Sequence, residues 1–288
     1  MKHYPGKLLL FGEHILLVGA PALAVPVNAF GGHWAWAKTP EQSRLKAFSD
    51  YLSTKTSLGP AFGEALRQGL YFESNIPEGY GLGSSGALCA AVYDRFAATK
   101  TQDLAELKAI FAEMESFFHG NSSGIDPLTV YIGAPLLIEE KTRVTQVAQR
   151  PWAETPVVFL IDSKLPRQTG PLVQWFLAQY ELPAFRSRLE RDLFPAHRAA
   201  LQAWLAADDQ AFWPALKQVS AFQFAHLPPM IPATLRDFWS ESLAQDEFML
   251  KICGAGGGGF ILGFARNTAV ASGLAEKYRA QFVNLLIC

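Results

Sequence analysis

The sequence predicts an α+β protein built from two domains. Apolar runs typical of buried strands recur along the chain, such as KLLLF at residues 7–11 and VVFLI at residues 157–161. Segments of helical periodicity separate these runs irregularly, without the strand–helix–strand alternation that a parallel sheet requires. The length of 288 residues is enough for two domains, each with its own core.

Two prolines indicate where the domains meet. Pro151 and Pro156 bracket a short segment, which places the boundary near residue 154. The predicted N-terminal domain therefore covers residues 1–154, and the predicted C-terminal domain covers residues 155–288.

In the first half of the chain, apolar runs predict strands, and a glycine-serine loop leads into the first of two predicted helices. These are strands at 7–11 and 15–18, the loop 79–86, a helix 87–98, a helix from the capping Asp103 to about Phe118, and strands 135–139 and 144–147. The second half begins with the strand 157–161 and is richer in helix. Its further elements are helices around 171–180, 183–207, 209–222 and 232–245, a strand 247–253, a glycine loop 254–259, a strand 260–264, a helix 267–280 and a strand 282–287.

Composition and charge exclude several classes of protein. Hydrophobic residues make up 50% and charged residues 18% of the chain, which is typical of a globular protein. The formal net charge is −1 and there is no long basic run, so we expect no nucleic-acid partner.

The cysteines and the N-terminus bear on location. Cys89, Cys253 and Cys288 form no Cys-x-x-Cys pair, as expected for a reduced intracellular protein. The apolar N-terminal segment resembles a signal peptide, but Glu13 and His14 interrupt it. No other stretch approaches the roughly 20 apolar residues of a membrane span. We therefore expect a cytoplasmic protein with no membrane partner.

The first glycine loop is a candidate phosphate site. Residues 77–86 read PEGYGLGSSG and run directly into a helix, whose free N–H groups and positive dipole end favour an anion. Ser84 and Ser85 add hydroxyl groups that can reach a phosphate or a metal. The spacing is not that of a Walker P-loop. A phosphate site and a tight turn with a serine cap both stay open on these residues alone.

The second glycine loop, Gly254–Gly259, matches G-x-G-x-x-G only formally. The residues that follow, Phe260 to Leu262, are typical of a strand, whereas the dinucleotide fingerprint requires a helix. Five glycines in six residues cost backbone entropy. We therefore expect close approach of a ligand or of another loop.

Glu115 is a candidate functional acid because of its position on a helix. Apolar residues at spacings of three and four mark the inner face of helix 103–118, and Glu115 lies on the edge of that face. An inward carboxylate needs a cation or hydrogen-bond donors. Taken alone, the position favours the simpler interpretation, a carboxylate at the rim that reaches water.

Three further polar residues are candidates. Asp126 lies in HGNSSGIDP, where an Asx turn is the simplest explanation. Glu13 and His14 interrupt an apolar run, where polar residues usually have a task, although a hydrogen-bonded core histidine remains an alternative.

Together these segments resemble the GHMP kinases, a family named for galactokinase, homoserine kinase, mevalonate kinase and phosphomevalonate kinase. Three motifs occur in the family's order and span nearly the whole chain. They are PGKLLLFGEH at residues 5–14, the segment containing GLGSS at residues 77–86, and KICGAGGGG at residues 251–259. The combination is far more specific than any one of them.

Within the family, the mevalonate kinase branch is the most similar. The opening motif continues with GAPALA at residues 19–24, whereas galactokinases continue with a T-D-Y-type stretch. HGNSSGID resembles the HG-x-PSGID stretch that carries the catalytic aspartate of that branch, here Asp126. Its metal-binding glutamate lies 11 positions earlier, which corresponds to Glu115. LPRQT at residues 165–169 resembles its PR-x-T segment.

The resemblance implies a fold and a reaction. The fold would join a ribosomal-protein-S5-like N-terminal domain to a ferredoxin-like C-terminal domain. The reaction would transfer phosphate from ATP, with Mg²⁺, to the primary hydroxyl of mevalonate. The partner is then a small-molecule alcohol, and a homodimer stays open as an assembly.

The resemblance also assigns roles to individual residues. Asp126 and Lys7 would be catalytic, and Ser85 and Glu115 would hold the metal. ATP would bind along Gly81, Leu82, Gly83, Ser84, Ser85 and Gly86. The substrate would contact Glu13, His14, Arg167, Thr169 and Gly256.

Five positions depart from the family pattern. Gly86 stands where alanine is usual, Pro127 replaces asparagine, and Ser122 replaces proline. Cys253 replaces the threonine before the third motif, and Val18 replaces an aromatic residue. None of these changes removes a catalytic group, but the last two concern the substrate.

Three alternatives to a mevalonate kinase remain. Another GHMP kinase could act on a sugar or on phosphomevalonate. A non-catalytic binding protein should have lost Lys7, Glu115 or Asp126, and all three are present. A nicotinamide oxidoreductase would need a helix after Gly259, which the pattern does not predict.

Overall fold

The computed structural model of the chain contains two antiparallel sheets with helices packed around them, and it describes residues 2–37, 43–150, 156–167, 169–279 and 282–284. This mixture of separate sheets and helices confirms the predicted α+β class.

Within residues 2–37 and 43–150, the chain forms five strands and five α-helices. The strands are β1 (Tyr4–Phe11), β2 (Ala22–Trp36), β3 (Leu70–Ser74), β4 (Leu136–Glu139) and β5 (Arg143–Gln146). The helices are α1 (Ser43–Lys55), α2 (Leu58–Arg67), α3 (Ser84–Phe96), α4 (Leu104–His119) and α5 (Ile125–Ile132).

The long strand β2 organises the first sheet. The order is β1-β2-β4-β5, and β3 pairs with the last part of β2, from Gly32 to Trp36. Every pairing is antiparallel. Helix α3 packs on this sheet with small buried residues such as Ala87 and Ala91, which let the helix backbone approach the strands closely.

Within residues 156–167, 169–279 and 282–284, the chain forms four strands and six α-helices. The strands are β6 (Val157–Asp162), β7 (Phe248–Ile252), β8 (Phe260–Ala265) and β9 (Phe282–Asn284), in the order β7-β8-β6-β9. The helices are α6 (Thr169–Tyr180), α7 (Pro183–Arg188), α8 (Phe194–Leu205), α9 (Asp209–His226), α10 (Arg236–Ala244) and α11 (Thr268–Lys277).

A hydrophobic core joins the two halves. Phe11 of β1 is fully buried, and its ring centroid lies 6.1–6.3 Å from the rings of Trp204, Phe212 and Phe264 of the second half. Aromatic pairs at this separation stabilise beyond their buried area. The strand that carries the first motif is therefore fixed against the C-terminal half.

Two elements predicted near the first motif and the glycine loop, the strand at 15–18 and the helix from residue 87, differ in part from the structure. Residues 15–18 form a 3₁₀ helix, because His14 and Gly19 at its ends adopt positive φ angles of 60° and 99° and reverse the chain. The helix predicted from residue 87 begins at Ser84, because Gly83 in a left-handed conformation caps it.

The helix predicted at 183–207 is divided. A π-helical segment, Leu189–Leu193, separates α7 from α8. Pro195 at the start of α8 has no N–H to donate to the preceding turn, so the wider turn forms there. The helix predicted at 232–245 begins with a 3₁₀ turn before α10.

Other predictions hold or lie outside the described residues. Asp103 caps α4 as predicted, because its side chain accepts a hydrogen bond from Glu106 N at 2.8 Å. Helices α1, α2 and α5 were not predicted. Pro151 and residue 154 lie outside the described residues, so the domain boundary stays a prediction. In the part of the chain that the structure describes, no helix is both long and apolar enough to span a membrane.

Candidate active site

An ion pair between Lys7 and Asp126 lies at the centre of the candidate site. Lys7 Nζ of β1 is 2.7 Å from Asp126 Oδ1 in the first turn of α5. The lysine side chain is 8% exposed, whereas the aspartate side chain is 32% exposed and open to a ligand. A general base needs both a reachable oxygen and a neighbouring cation that stabilises developing charge. This pair provides both.

The glycine-serine loop lies directly against this pair. Lys7 N donates to Leu82 O at 2.8 Å, which joins β1 to the loop. A Cβ atom at Gly83 would lie 3.2 Å from Lys7 Cβ and 3.7 Å from Asp126 Oδ2. Gly83 also has a φ of 72°, so a residue with a side chain would be strained and would crowd the pair.

The start of α3 has the local features of the predicted anion site. Its N-cap, Gly83, makes no side-chain hydrogen bond, so the first-turn amides have no side-chain acceptor at the cap. A cavity of about 230 Å³ adjoins this helix end. Ser84 and Ser85 line one part of it, and Leu45, Phe72 and Phe118 are among its apolar walls. The cavity could hold an aromatic base beside a phosphate.

Glu115 points inward, so the interpretation of a rim carboxylate that reaches water is wrong. The residue is only 4% exposed. Ser85 Oγ donates to its Oε1 at 3.0 Å, and Ser122 Oγ donates to its Oε2. Burial, and secondarily the negative charge of Asp126, raise the pKa of Glu115 to about 7. A nearby cation would offset both effects.

These residues fit a magnesium ion. In the described part of the chain, no three His, Cys, Asp or Glu side chains form a cluster that could hold a metal without help. Mg²⁺ usually binds one or two carboxylates together with waters and substrate phosphates. Ser85 and Glu115, beside the anion site of α3, supply the protein part of such a set.

Glu13 and His14 are both engaged by the third motif. Lys251 Nζ of β7 donates to Glu13 Oε1, and these two side chains are 1% and 2% exposed. His14 Nε2 hydrogen-bonds Ala255 O at 3.0 Å, while its buried Nδ1 has no hydrogen-bond partner. Burial, opposed by the bond to Ala255 and reinforced by nearby Arg167, lowers the pKa of His14, which favours the neutral ring.

Arg167 connects the two glycine loops. Cβ atoms added at Gly81 and Gly254 would lie 2.3 and 2.5 Å from Arg167 Nη1, so both glycines make room for the guanidinium. Its Nε and Nη1 are buried and have no hydrogen-bond partner. An unpartnered buried cation is costly unless a ligand anion compensates it.

The remaining predicted substrate residues are less central. Thr169 is the first residue of α6 and is exposed, and Gln168 before it lies outside the described residues. A Cβ atom at Gly256 would lie 2.5 Å from Met230 O, so this glycine serves loop packing. Close approach of another loop was one expectation for Gly254–Gly259, and it is confirmed. Substrate contact by Thr169 and Gly256 stays a prediction.

Three residues of the site were not assigned roles from the sequence. Lys251 holds Glu13, Ser122 holds Glu115, and His119 Nε2 lies 3.0 Å from Ser85 Oγ. A lysine inside the apolar run FMLKI was the one available signal, because lysine is rarely buried without a partner.

An anion-binding helix end, a buried acid beside a serine hydroxyl, and an accessible carboxylate paired with lysine are the parts that phosphoryl transfer requires. Fold and site together have the features expected of a small-molecule phosphotransferase. The family model described as GHMP kinases N terminal domain matches residues 45–134. The mevalonate kinase of Archaeoglobus fulgidus is 27% identical, over 97% of this chain and 94% of that protein.

Two solved structures have the same fold. The mevalonate kinase of L. major in complex with R-mevalonate gives a TM-score of 0.72 at 16% identity, covering 99% of this chain and 96% of that chain. The galactokinase of Lactococcus lactis complexed with galactose gives a TM-score of 0.70 at 15% identity, covering 98% of this chain and 92% of that chain.

The chain is therefore similar to the GHMP kinases, over residues 45–134 by the family model and over nearly its full length by the archaeal mevalonate kinase.

Proposed function

We propose that this kinase phosphorylates the primary hydroxyl of mevalonate to give 5-phosphomevalonate and ADP. The observation that carries the proposal is the arrangement of charges around the Lys7–Asp126 pair. Across the glycine loop from this pair lies Arg167, whose buried Nε and Nη1 have no partner. Mevalonate has a hydroxyl for the pair and a carboxylate for the guanidinium. Arginine is well suited to bind a carboxylate through two parallel hydrogen bonds.

The donor would bind along α3. The amides from Gly81 to Gly86 would hold the triphosphate, and the adenine would occupy the cavity of about 230 Å³. Mg²⁺ held by Ser85 and Glu115 would neutralise charge on the β- and γ-phosphates.

Asp126 would accept the proton of the substrate hydroxyl, and Lys7 would stabilise the attacking oxygen and the transferring phosphoryl group. Lys7 is already 2.7 Å from Asp126, so the two groups need no rearrangement to act on one hydroxyl. Glu13, His14 and Thr169 would orient the substrate. Because Glu13 is buried and bonded to Lys251, it would act on the substrate indirectly rather than as an exposed contact.

A sugar kinase is the second candidate. The galactokinase of Lactococcus lactis matches the fold almost as well as the mevalonate kinase of L. major does. The departures at Cys253 and Val18 also concern the substrate end of the site. A neutral sugar, however, offers no carboxylate to the buried Nε and Nη1 of Arg167.

Replacing Arg167 tests the substrate. Arg167→Ala should raise KM for mevalonate roughly 10- to 150-fold, because a hydrogen bond to a charged group contributes about 1.5–3 kcal/mol. KM for ATP should change much less. Arg191→Ala, at an exposed arginine paired with Asp192, is the matched control. An unchanged KM for mevalonate, or a loss confined to ATP, would contradict the assignment of Arg167 to the carboxylate.

A further inference from the structure

Ser122 bridges the helix that carries Glu115 and the helix that carries Asp126. Its hydroxyl donates to Glu115 Oε2, and the Gly124 N–H donates to Ser122 Oγ at 3.0 Å. Because the oxygen accepts from the backbone amide, its own proton is directed at the carboxylate. A two-step relay therefore runs from the backbone at the start of α5 to the acid on α4.

The relay leaves Glu115 little freedom. Its second oxygen, Oε1, accepts from Ser85 Oγ at 3.0 Å, so each carboxylate oxygen has its own donor. The side chain is 4% exposed and has no nearby bulk water to replace a lost bond. Glutamate gives up substantial rotamer freedom when it is ordered, and two fixed donors provide that ordering in advance.

The loop that carries Ser122 is itself fixed against α4. A Cβ atom at Gly124 would lie 2.2 Å from Lys108 O and 2.7 Å from Ala112 N, so the loop backbone lies on the helix backbone. Gly124 caps α5 with a φ of 72°, and Asp126 follows in the first turn. The hydroxyl at 122 is thus held in place by the loop that joins the helices of the two acids.

We propose that Ser122 is a positioning residue that holds Glu115 in its metal-binding orientation and ties that orientation to the helix of the catalytic base. The proposal rests on the proposed role of Glu115 toward Mg²⁺. Proline, which the family pattern has at this position, carries no hydroxyl and could not form the relay. The hydrogen-bond relay through Ser122 is therefore a feature of this chain and not of the family pattern.

Metal affinity measured without turnover tests the proposal. The probe is Mn²⁺, titrated by electron paramagnetic resonance into protein saturated with a non-hydrolysable ATP analogue. Ser122→Ala should weaken Mn²⁺ binding roughly 10-fold, the effect of losing one hydrogen bond to a carboxylate. Ser122→Thr keeps the hydroxyl and should retain affinity close to that of the wild type. A purely structural role would lower the thermal unfolding midpoint without this rescue pattern.

Two controls separate the possible failures. Ser116→Ala removes a hydroxyl of α4 that donates to its own helix, at Ala112 O, and should leave Mn²⁺ binding unchanged. Glu115→Gln should weaken binding more than Ser122→Ala. If Glu115→Gln binds Mn²⁺ normally, the metal role of Glu115 and the Ser122 proposal both fail. If it binds weakly while Ser122→Ala binds normally, only the Ser122 proposal is overturned. If Ser122→Ala does not fold, Ser122→Cys replaces it in the test. A thiol is a weak hydrogen-bond donor, so wild-type Mn²⁺ affinity in Ser122→Cys would overturn the proposal.

Discussion

Glu115 and Asp126 are both carboxylates of the candidate site, but their surroundings suit them to different proposed tasks. Glu115 is buried between two serine hydroxyls, and its pKa is raised to about 7 by burial and by Asp126. Asp126 is partly exposed and paired with Lys7. A buried acid that gains from a cation suits a metal ligand, and an accessible acid beside lysine suits a base.

The first prediction concerns the base. Asp126→Asn should lower kcat roughly 10²- to 10⁴-fold while leaving KM for ATP nearly unchanged, because only proton transfer is lost. Coupled ADP detection at saturating ATP and acceptor measures this. Asp50→Asn, at an exposed aspartate of α1, is the matched control. More than half of the wild-type turnover in Asp126→Asn would show that another group accepts the proton.

The residue-scale roles were only partly accessible from sequence. The motifs indicated Glu115 and Asp126, but the helical pattern left Glu115 at the rim. Its burial depends on Ser122 and Ser85, which lie 7 and 30 positions away and approach only in the folded chain. The apolar periodicity of one helix carries no information about such distant hydrogen-bond partners.

At the scale of elements, glycines decide how closely strands and loops approach. Gly263 of β8 faces the ring of Phe159 on β6, and a Cβ atom there would lie 2.1 Å from Phe159 Cζ. Phe159 is fully buried and stacks on Phe282 of β9, so the ring has little room to shift. The packing of the second sheet therefore requires a residue without a side chain at position 263.

The second prediction compares two glycine-to-alanine changes. Gly263→Ala should destabilise the fold by about 1–3 kcal/mol through overpacking. Gly273→Ala, inside α11 with nothing within 4 Å of the new Cβ, should stabilise it by about 0.5–1 kcal/mol. Free energies of unfolding from urea titration measure both. The packing account is wrong if the two changes have effects of the same sign.

Elements were predicted well where the pattern was long and poorly where turns controlled it. Helix α4 followed from periodicity and its Asp103 cap, and strand β6 from its apolar run. The run at 15–18 is too short to distinguish a strand from a 3₁₀ helix. The positive φ of His14 reverses the chain there and favours the 3₁₀ helix. Helix α5 was hidden because its start, around Gly124, has the composition of a turn.

At the scale of the whole molecule, the two halves are joined by polar bonds as well as by the aromatic core. His197 of α8 donates from Nε2 to Pro21 O at 2.8 Å, just before β2. Its ring lies edge-on to Phe11, 6.2 Å between centroids. Burial, with the positive charges of Lys251 and Arg198, lowers the pKa of His197 to about 4.

The third prediction is a pH dependence of stability. Because the pKa of His197 is lower in the folded than in the unfolded chain, the unfolded chain binds the extra proton as pH falls below about 6.5. This residue should therefore cost about 2 kcal/mol of stability at pH 5 relative to pH 7. His197→Gln can still donate to Pro21 O but does not titrate, and it should lose less stability over that interval. Equal losses in the variant and the wild type, from urea titrations at both pH values, would contradict this assignment.

The reaction itself is tested most directly with a panel of acceptors. Purified protein, ATP and Mg²⁺ are incubated separately with mevalonate, phosphomevalonate, homoserine and galactose, and ADP release is followed. The charges around Lys7, Asp126 and Arg167 predict the highest kcat/KM for mevalonate, with 5-phosphomevalonate as the product. Turnover of galactose or another neutral acceptor without turnover of mevalonate would contradict the proposed substrate, and no ADP release with any acceptor would contradict the catalytic assignment of the site.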